Sequence, residues 1–421
     1  MKYITLVLTL LTATSAFSAV WEDTNTWSMD WEKKYSKWIQ TDKVHTRMFT
    51  SKKSKYYGIN ADCADAAYAL RAIFSLENAL PFKVHAPKDN SSELFEKLSN
   101  KTDKFDEAGD TPEKRLVAMI NYLGKSIGTE HLSHIDTVPV KIDKIAPGML
   151  FTYKIKGGNG NFIRHAYSIK DISEYGNFDV IYSTQAIARD KLPMMRKSGF
   201  IFTNLPHGSW GFRRWKWPSQ EGLENDQLPE EMGFSYEQYD LVKKHGQRFF
   251  RVVKDKLKTS EEHPQDMLLR KIKLVCQEAQ LRATYVNQGL DYRREIGNRC
   301  MSYEEFDAYS TPARDENLWK SIETLKADYN EVIYRNLSDY VNPRIMDAIK
   351  GIFKGYNFFQ SSVRDDLNAM CIINYRRGVR VNLHHIYDRL SKGLMTSHPN
   401  DGIAQRWGET AEGRTRCRKW Y

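Results

Sequence analysis

Two residues of this chain have the type and setting for covalent chemistry: Cys63, in "GINADCADAAYALRAIFSLENALPF", and His165, in "FIRHAYSIKDI". A cysteine at the start of a helix sits among unpaired backbone N–H groups and the positive end of the macrodipole, which favour a thiolate. An imidazole beside it would lower the thiol pKa further, and the thiolate is the species that attacks. The same letters also suit a small buried side chain and a strand histidine bonded to backbone. The rest of the chain has to weigh one reading against the other.

Cysteine number favours chemistry. The first residues, "MKYITLVLTLLTATSAFSAVW", carry one lysine, an apolar block from Ile4 to Leu11 and then small residues ending in Ala16-Phe17-Ser18. That order is expected of a signal peptide over residues 1–18 and is too short for a membrane span, so the mature chain is expected to start near Ala19 and to be periplasmic or secreted. Outside the cytoplasm thiols pair. Five cysteines then leave one over. Cys276, Cys300, Cys371 and Cys417 all lie in the C-terminal half; the preferred pairing is Cys276 with Cys300 and Cys371 with Cys417, among three connectivities. Cys63 stays free.

The elements that would position these residues follow from periodicity. Residues 24–57 look helical, with Trp27, Trp31, Tyr35 and Trp38 on one face. Asp65 to Leu80 keeps the helical period until Pro81, and residues 86–110 read as a charged excursion with a short helix. Thr111 caps a further helix with Pro112 in its first position, although Lys114 stands where a capping box would place Glu or Gln. The period then becomes two: "PGMLFTYKIK", a turn at Gly157–Gly160, "FIRHAYSIKDI", a turn at Tyr175–Asn177 and "FDVIYSTQA" predict three antiparallel strands. From Tyr236 the pattern is helical again, with candidates at 236–258, 264–287, 315–339, 343–355 and 362–376.

In the middle strand, alternation puts Ile163, His165, Tyr167 and Ile169 on one face. That apolar face is expected to be covered by the helix that begins at Cys63. With a five-residue turn, residues that face each other sum to about 350, which sets Gln185 opposite His165. Gln185 would hold the imidazole in one tautomer, as a triad's third member does. Ser183 takes that place if the register slips by two, and Asp179 is the remaining choice.

These stretches also form a resemblance. "YYGINADCADAAYAL" is similar to the lead-in and cysteine helix of NlpC-type cell-wall cysteine peptidases, and "IAPGMLFTYKIKGGNGNFIRHAYSIKDISEYGNFDVIYSTQ" resembles the strands that follow in that family. The resemblance spans roughly residues 55–65 and 145–186. It implies a papain-like fold, Cys63 as nucleophile, His165 as general base, Gln185 as the third residue and Tyr57 lining the substrate cleft. Departures are Ala64-Asp65 where the family has Ser-Gly, Met149 in place of an aspartate, and a long insertion over 86–145. The cysteine helix also looks like that of transglutaminase-like proteins, but the third strand has no aspartate at the expected end.

The remaining signals are weaker. "HGSWGFRRWKWP", residues 207–218, interleaves tryptophans with cations, so Trp215 and Trp217 could stack on sugar rings or rest on an anionic envelope surface. Buried tryptophans at a hinge would give the same letters. His131, His134 and Asp136 have a spacing that could hold a metal, but with no further ligand they read as surface residues. No metal and no cofactor is expected. The net charge of +10 suits solubility or an anionic envelope partner better than nucleic acid in an exported chain. With 41% hydrophobic and 28% charged residues, the chain is neither disordered nor membrane-embedded by composition.

The expectation is therefore an α+β protein: signal peptide 1–18, a papain-like catalytic domain over 19–225 and a mainly helical domain of unknown role over 226–421. The chemistry would be acyl transfer to Cys63 from an amide in peptidoglycan stem peptides or an envelope protein. Two other readings stay open: transglutaminase-like acyl transfer to an amine, and a non-catalytic envelope-binding protein.

Overall fold

The computed structural model describes residues 19–86, 98–156, 162–184, 192–357 and 360–420. The expected signal peptide, the short helix within 86–110, the Gly157–Gly160 turn and Gln185 lie wholly or largely outside these. The chain is mixed α+β with an antiparallel sheet, as the periodicity implied.

A reciprocal cap starts the cysteine helix. Asp62 Oδ1 accepts from the N–H groups of Ala64 (2.8 Å) and Asp65 (3.0 Å), while Asp65 Oδ2 accepts from Asp62 N–H (3.0 Å). This is a capping box with aspartate in the place usual for Glu or Gln. The helix, α2 (Cys63–Glu77), follows α1 (Met29–Gln40), the only α-helix within the stretch 24–57. From Cys63 to Ser75 every residue of α2 is buried. Its alanines permit close packing, and α3 (Pro112–Ser126) crosses so near that a Cβ on Gly124 would fall 2.6 Å from the Asp65 carboxylate.

Among the described residues six strands form the sheet: β1 (Thr137–Pro139), β2 (Leu150–Lys156), β3 (Phe162–Ile172), β4 (Phe178–Tyr182), β5 (Met195–Phe200) and β6 (Gly211–Trp215), in the order β1-β6-β2-β3-β4-β5. Both faces are buried. On one face Leu150, Ala166, Ile181 and Trp215 join the core of α2. On the other, Phe151, Tyr167, Ile169, Val180 and Phe212 pack with α4 (Glu237–His245) and α5 (Phe249–Leu257). Alternation therefore places His165 on the face opposite the cysteine helix, contrary to the sequence expectation. The reason is complementary bulk. Small residues at Ala166 and Ser168 admit the alanine-rich α2, whereas the aromatic face takes the phenylalanines of α5. Lys170, on the α2 side, tolerates burial because its ammonium donates to the carbonyls of Ile39 (2.7 Å) in the last turn of α1 and of Thr41 (3.0 Å) and Val44 (2.9 Å) beyond it.

The stretch 207–218 is also not a surface. β6 lies between β1 and β2, and Trp210, Trp215 and Trp217 are at most 8% exposed. Trp217 Nε1 donates to Glu32 (2.7 Å), and Arg213 and Arg214 donate to the carbonyls of Thr137 and Met232 (both 2.6 Å). Neither Trp215 nor Trp217 can stack on a sugar, and Arg213 and Arg214 are spent inside the protein.

A second core is built from α6 (Pro264–Ile296), α8 (Pro312–Tyr334), α9 (Pro343–Lys354), α10 (Ser361–Met370), the hairpin β7 (Ile372–Arg376) with β8 (Val379–Asn382), and α11 (Leu383–Ser391), while the short α7 (Tyr303–Tyr309) stands between α6 and α8 in the chain. The helix expected over 362–376 ends at Met370, Cys371 is its C-cap, and the hairpin begins at Ile372. Among the described residues no helix is long and apolar enough to cross a membrane.

The disulfides are Cys276–Cys371 and Cys300–Cys417. The pairing expected from sequence fails on distance. Cys276 lies inside α6, and twenty further residues of that helix carry the chain about 30 Å away before Cys300 is reached. A disulfide needs Cα atoms within about 7 Å. Two bridges and the absence of a membrane-crossing helix among the described residues are compatible with export. Non-reducing peptide mapping should recover these two linked pairs, with Cys63 alone labelled on denaturation. Replacing Cys276 and Cys371 by serine should cost about 2–4 kcal/mol, because the bridge closes a loop of 95 residues.

Candidate functional site

β3 has eleven residues and β4 only five. Pairing between them runs from Ile172↔Phe178 to Ser168↔Ile181, and it shifts by one residue between Ile169 and Asp171. β4 stops at Tyr182, so the edge of β3 around Ala166 is open on that side. The start of α2 fills the gap. The Cys63 thiol meets the N–H of Ala166 there, and its Sγ lies 3.4 Å from Thr129 Oγ1. Thr129 opens a short helical turn, Thr129–His131, after α3.

Behind this gap is a cavity of about 500 Å³. Cys63, Asp62 and Thr129 stand at one wall; Tyr153, His165, Tyr167, Tyr182 and Lys197 come from the sheet; Glu278, Tyr285, Arg314 and Asn317 come from α6 and α8. Cys63 and His165 are thus brought to one cavity. No hydrogen bond joins them among the described contacts. The imidazole is packed among aromatic rings, with centroids 4.5 Å from Tyr167, 5.2 Å from Tyr182 and 5.9 Å from Tyr153. Neither of its nitrogens has a hydrogen-bond partner among the described residues, so both are available to whatever enters.

Electrostatics keep both groups neutral. Burial pushes the Cys63 thiol up to about 12, with the carboxylate of Asp62 adding to it, against the Thr129 and Ala166 hydrogen bonds that pull the other way. The expected activation by the helix terminus is therefore outweighed by loss of water. Burial lowers His165 to about 3, with help from the positive charges of Lys197 and Arg314. A depressed imidazole is neutral in the fold while the unfolded chain gains a proton below about 6.5. Its contribution to stability is thus complete above that pH and is lost as pH falls towards about 3. Lys197, buried in the wall, donates to Glu278 Oε1 at 2.5 Å; burial opposes its charge, but Tyr182 and Glu278 outweigh that and hold its pKa above the usual value. This pair ties β5 to α6 across the cavity.

At the start of α2 one donor is left over. Asp62 takes the N–H groups of Ala64 and Asp65 on its side chain and that of Ala66 on its carbonyl. The Cys63 N–H, beside its own thiol, has no such partner among the described contacts.

Other expected site residues lie elsewhere. The register shift replaces Gln185 by Thr184 as the residue that would come abreast of His165, and Thr184 is in the cavity wall. Its Oγ1 meets Tyr285 OH at 3.3 Å. Gln185 is outside the described residues. Ser183 is buried away from the cavity, and Asp179 accepts from Ser198 Oγ and Gly199 N–H at the far end of β4. Tyr57 is 41% exposed and does not line the cavity. Sequence reasoning missed Tyr153, Thr129, Lys197, Glu278 and Arg314. Of these only Tyr153 left a trace, since the β2–β3 turn sets it opposite His165.

His131 and Asp136 are not surface residues. Asp136 is buried, with Oδ1 2.8 Å from His85 Nδ1 and Oδ2 taking the Tyr68 hydroxyl (2.5 Å) and facing His131 Nε2 (3.3 Å). Burial alone would raise its carboxyl, but the bonds from His131 and His85 outweigh it and hold it well below the usual range. This knot fastens the segment after Pro81 to the start of β1. No group of three or more His, Cys, Asp or Glu among the described residues could hold a metal ion.

The Thr129 hydroxyl is the side-chain hydrogen-bond partner of the thiol among the described contacts. Thr129→Val should slow iodoacetamide labelling of Cys63 at pH 9 by about threefold to tenfold, the worth of one neutral hydrogen bond, and move the rate–pH curve upward. An unchanged curve would mean that Thr129 gives the thiolate nothing. Searches against family profiles, curated proteins and solved structures find no match for this chain.

Proposed function

We propose that the protein is an exported cysteine hydrolase with a papain-like arrangement, acting on an amide by way of an acyl-enzyme on Cys63. One observation carries this reading. Four of five cysteines are bridged, and the fifth, at a helix start, opens onto a cavity that also takes an unpartnered histidine. The Cys63 N–H supports it as a donor to the developing oxyanion.

Because thiol and imidazole rest neutral, the proton leaves Sγ as the S–C bond forms, with His165 receiving it directly or through one water. The oxyanion is held by the Cys63 N–H and collapses as His165 returns the proton to the leaving amine. Water then attacks the thioester by the same route, releasing the acid and the thiol. Peptidoglycan stem peptides or an envelope protein are the substrate class that the sequence resemblance favours.

The absence of a Cys63–His165 hydrogen bond and the raised thiol pKa favour a second reading, a cavity that binds its ligand without covalent chemistry. Turnover of stem-peptide amides separates the two. Cys63→Ala should abolish turnover and a trapped acyl adduct on Cys63, and His165→Ala should lower kcat by about 10²–10⁴-fold. Turnover that survives Cys63→Ala, or ligand binding with no adduct and no turnover in the wild type, would overturn the hydrolase reading.

A further inference from the structure

Of the three cations in the cavity wall, two are matched. Arg164 Nε meets Glu130 at 2.6 Å, and Lys197 meets Glu278. Arg314, near the start of α8, is different. Its guanidinium lies over the Tyr285 ring at 3.3 Å, and its one hydrogen bond among the described contacts is a long one, 3.5 Å, to Ser310 O. No carboxylate among the described residues lies within ion-pair distance of it. Stacking on Tyr285, whose hydroxyl reaches Thr184 and Met195, fixes the plane of the guanidinium without using its N–H groups.

Asn317 lies one turn further along α8, on the same face and in the same wall, and its amide also has no partner among the described residues. Asp62, Glu278 and Asp307 are the wall's carboxylates. The first caps α2, the second holds Lys197, and Asp307 is itself not free. A planar fork of unused donors beside an amide, facing a cavity and held in place by an aromatic ring, matches a carboxylate in geometry and charge.

We propose that Arg314, with Asn317, binds a carboxylate of the ligand, so that the helical half selects substrates carrying an acidic group near the amide presented to Cys63. This rests on the cavity being a ligand site, and it assigns to α8 the selection of that ligand.

The test compares alkylation of Cys63 by iodoacetate and by iodoacetamide, probes of similar size that differ in charge. Arg314→Gln should lower the iodoacetate-to-iodoacetamide ratio about threefold or more, as expected for one charge lost at partial screening. Arg314→Lys should keep most of the ratio, which separates charge from folding. A ratio equal in wild type and Arg314→Gln would overturn the proposal. A second arm does not need a reactive thiol. N-acetylglycine, with N-acetylglycinamide as neutral control, is titrated by calorimetry into wild type and Arg314→Gln. Binding of the acid alone, lost in the variant, supports the proposal even if Cys63 proves inert and the hydrolase reading fails. Equal behaviour of both probes, or of both proteins, overturns it even if Cys63 turns over substrate.

Discussion

The length mismatch between β3 and β4 is the constraint on which the site depends. A sheet edge with open N–H groups must be covered or wetted. Here β4 ends at Tyr182, and the start of α2 occupies the vacated place, so that Ala166 N–H points at Cys63 Sγ instead of at another strand. A longer β4 would close the gap. The thiol then stands at the strand edge, level with the sheet, and can reach a cavity on the face opposite its own helix. That is how Cys63 and His165 meet at one cavity although their elements cover different faces.

Burial on both faces is what makes this arrangement costly for charge. The aromatic surround of His165 and the packing of α2 remove the water that would support an imidazolium or a thiolate. In an exposed dyad the helix terminus and the histidine would favour an ion pair. In this cavity the positive charges of Lys197 and Arg314 oppose protonation of His165, and Asp62 opposes ionisation of Cys63. Charge separation is therefore favoured only when a bound group compensates it. The helical half contributes to that balance directly, since Glu278 and Arg314 belong to α6 and α8.

Much of the local structure was legible. The alanine helix and the alternation of β2 and β3 are short-range patterns, and they appear close to where the sequence puts them, whereas β4 stops at Tyr182, short of the strand expected over 178–186. The facing of β3 was not legible, because alternation distinguishes the two faces but cannot say which is covered by which partner. The rule that the apolar face meets the helix fails when both faces are buried and the smaller side chains admit the closer helix. Gln185 was set opposite His165 by counting from the turn, and a one-residue shift near Lys170 moved Thr184 there. The tryptophans of 207–218 read equally as surface or core until β6 is seen between β1 and β2. Arg314, Glu278 and the disulfide partners are long-range facts, set by how two cores pack.

The most direct test is the imidazole of His165, followed by ¹⁵N and ¹³C resonances from pH 8 to pH 4, before and after carboxamidomethylation of Cys63. A neutral ring throughout that range, with no titration near 6.5 and a clear shift change when Cys63 is modified, is the predicted result. An imidazolium at pH 7, or a resonance indifferent to the modification, would contradict a neutral pair that shares one cavity.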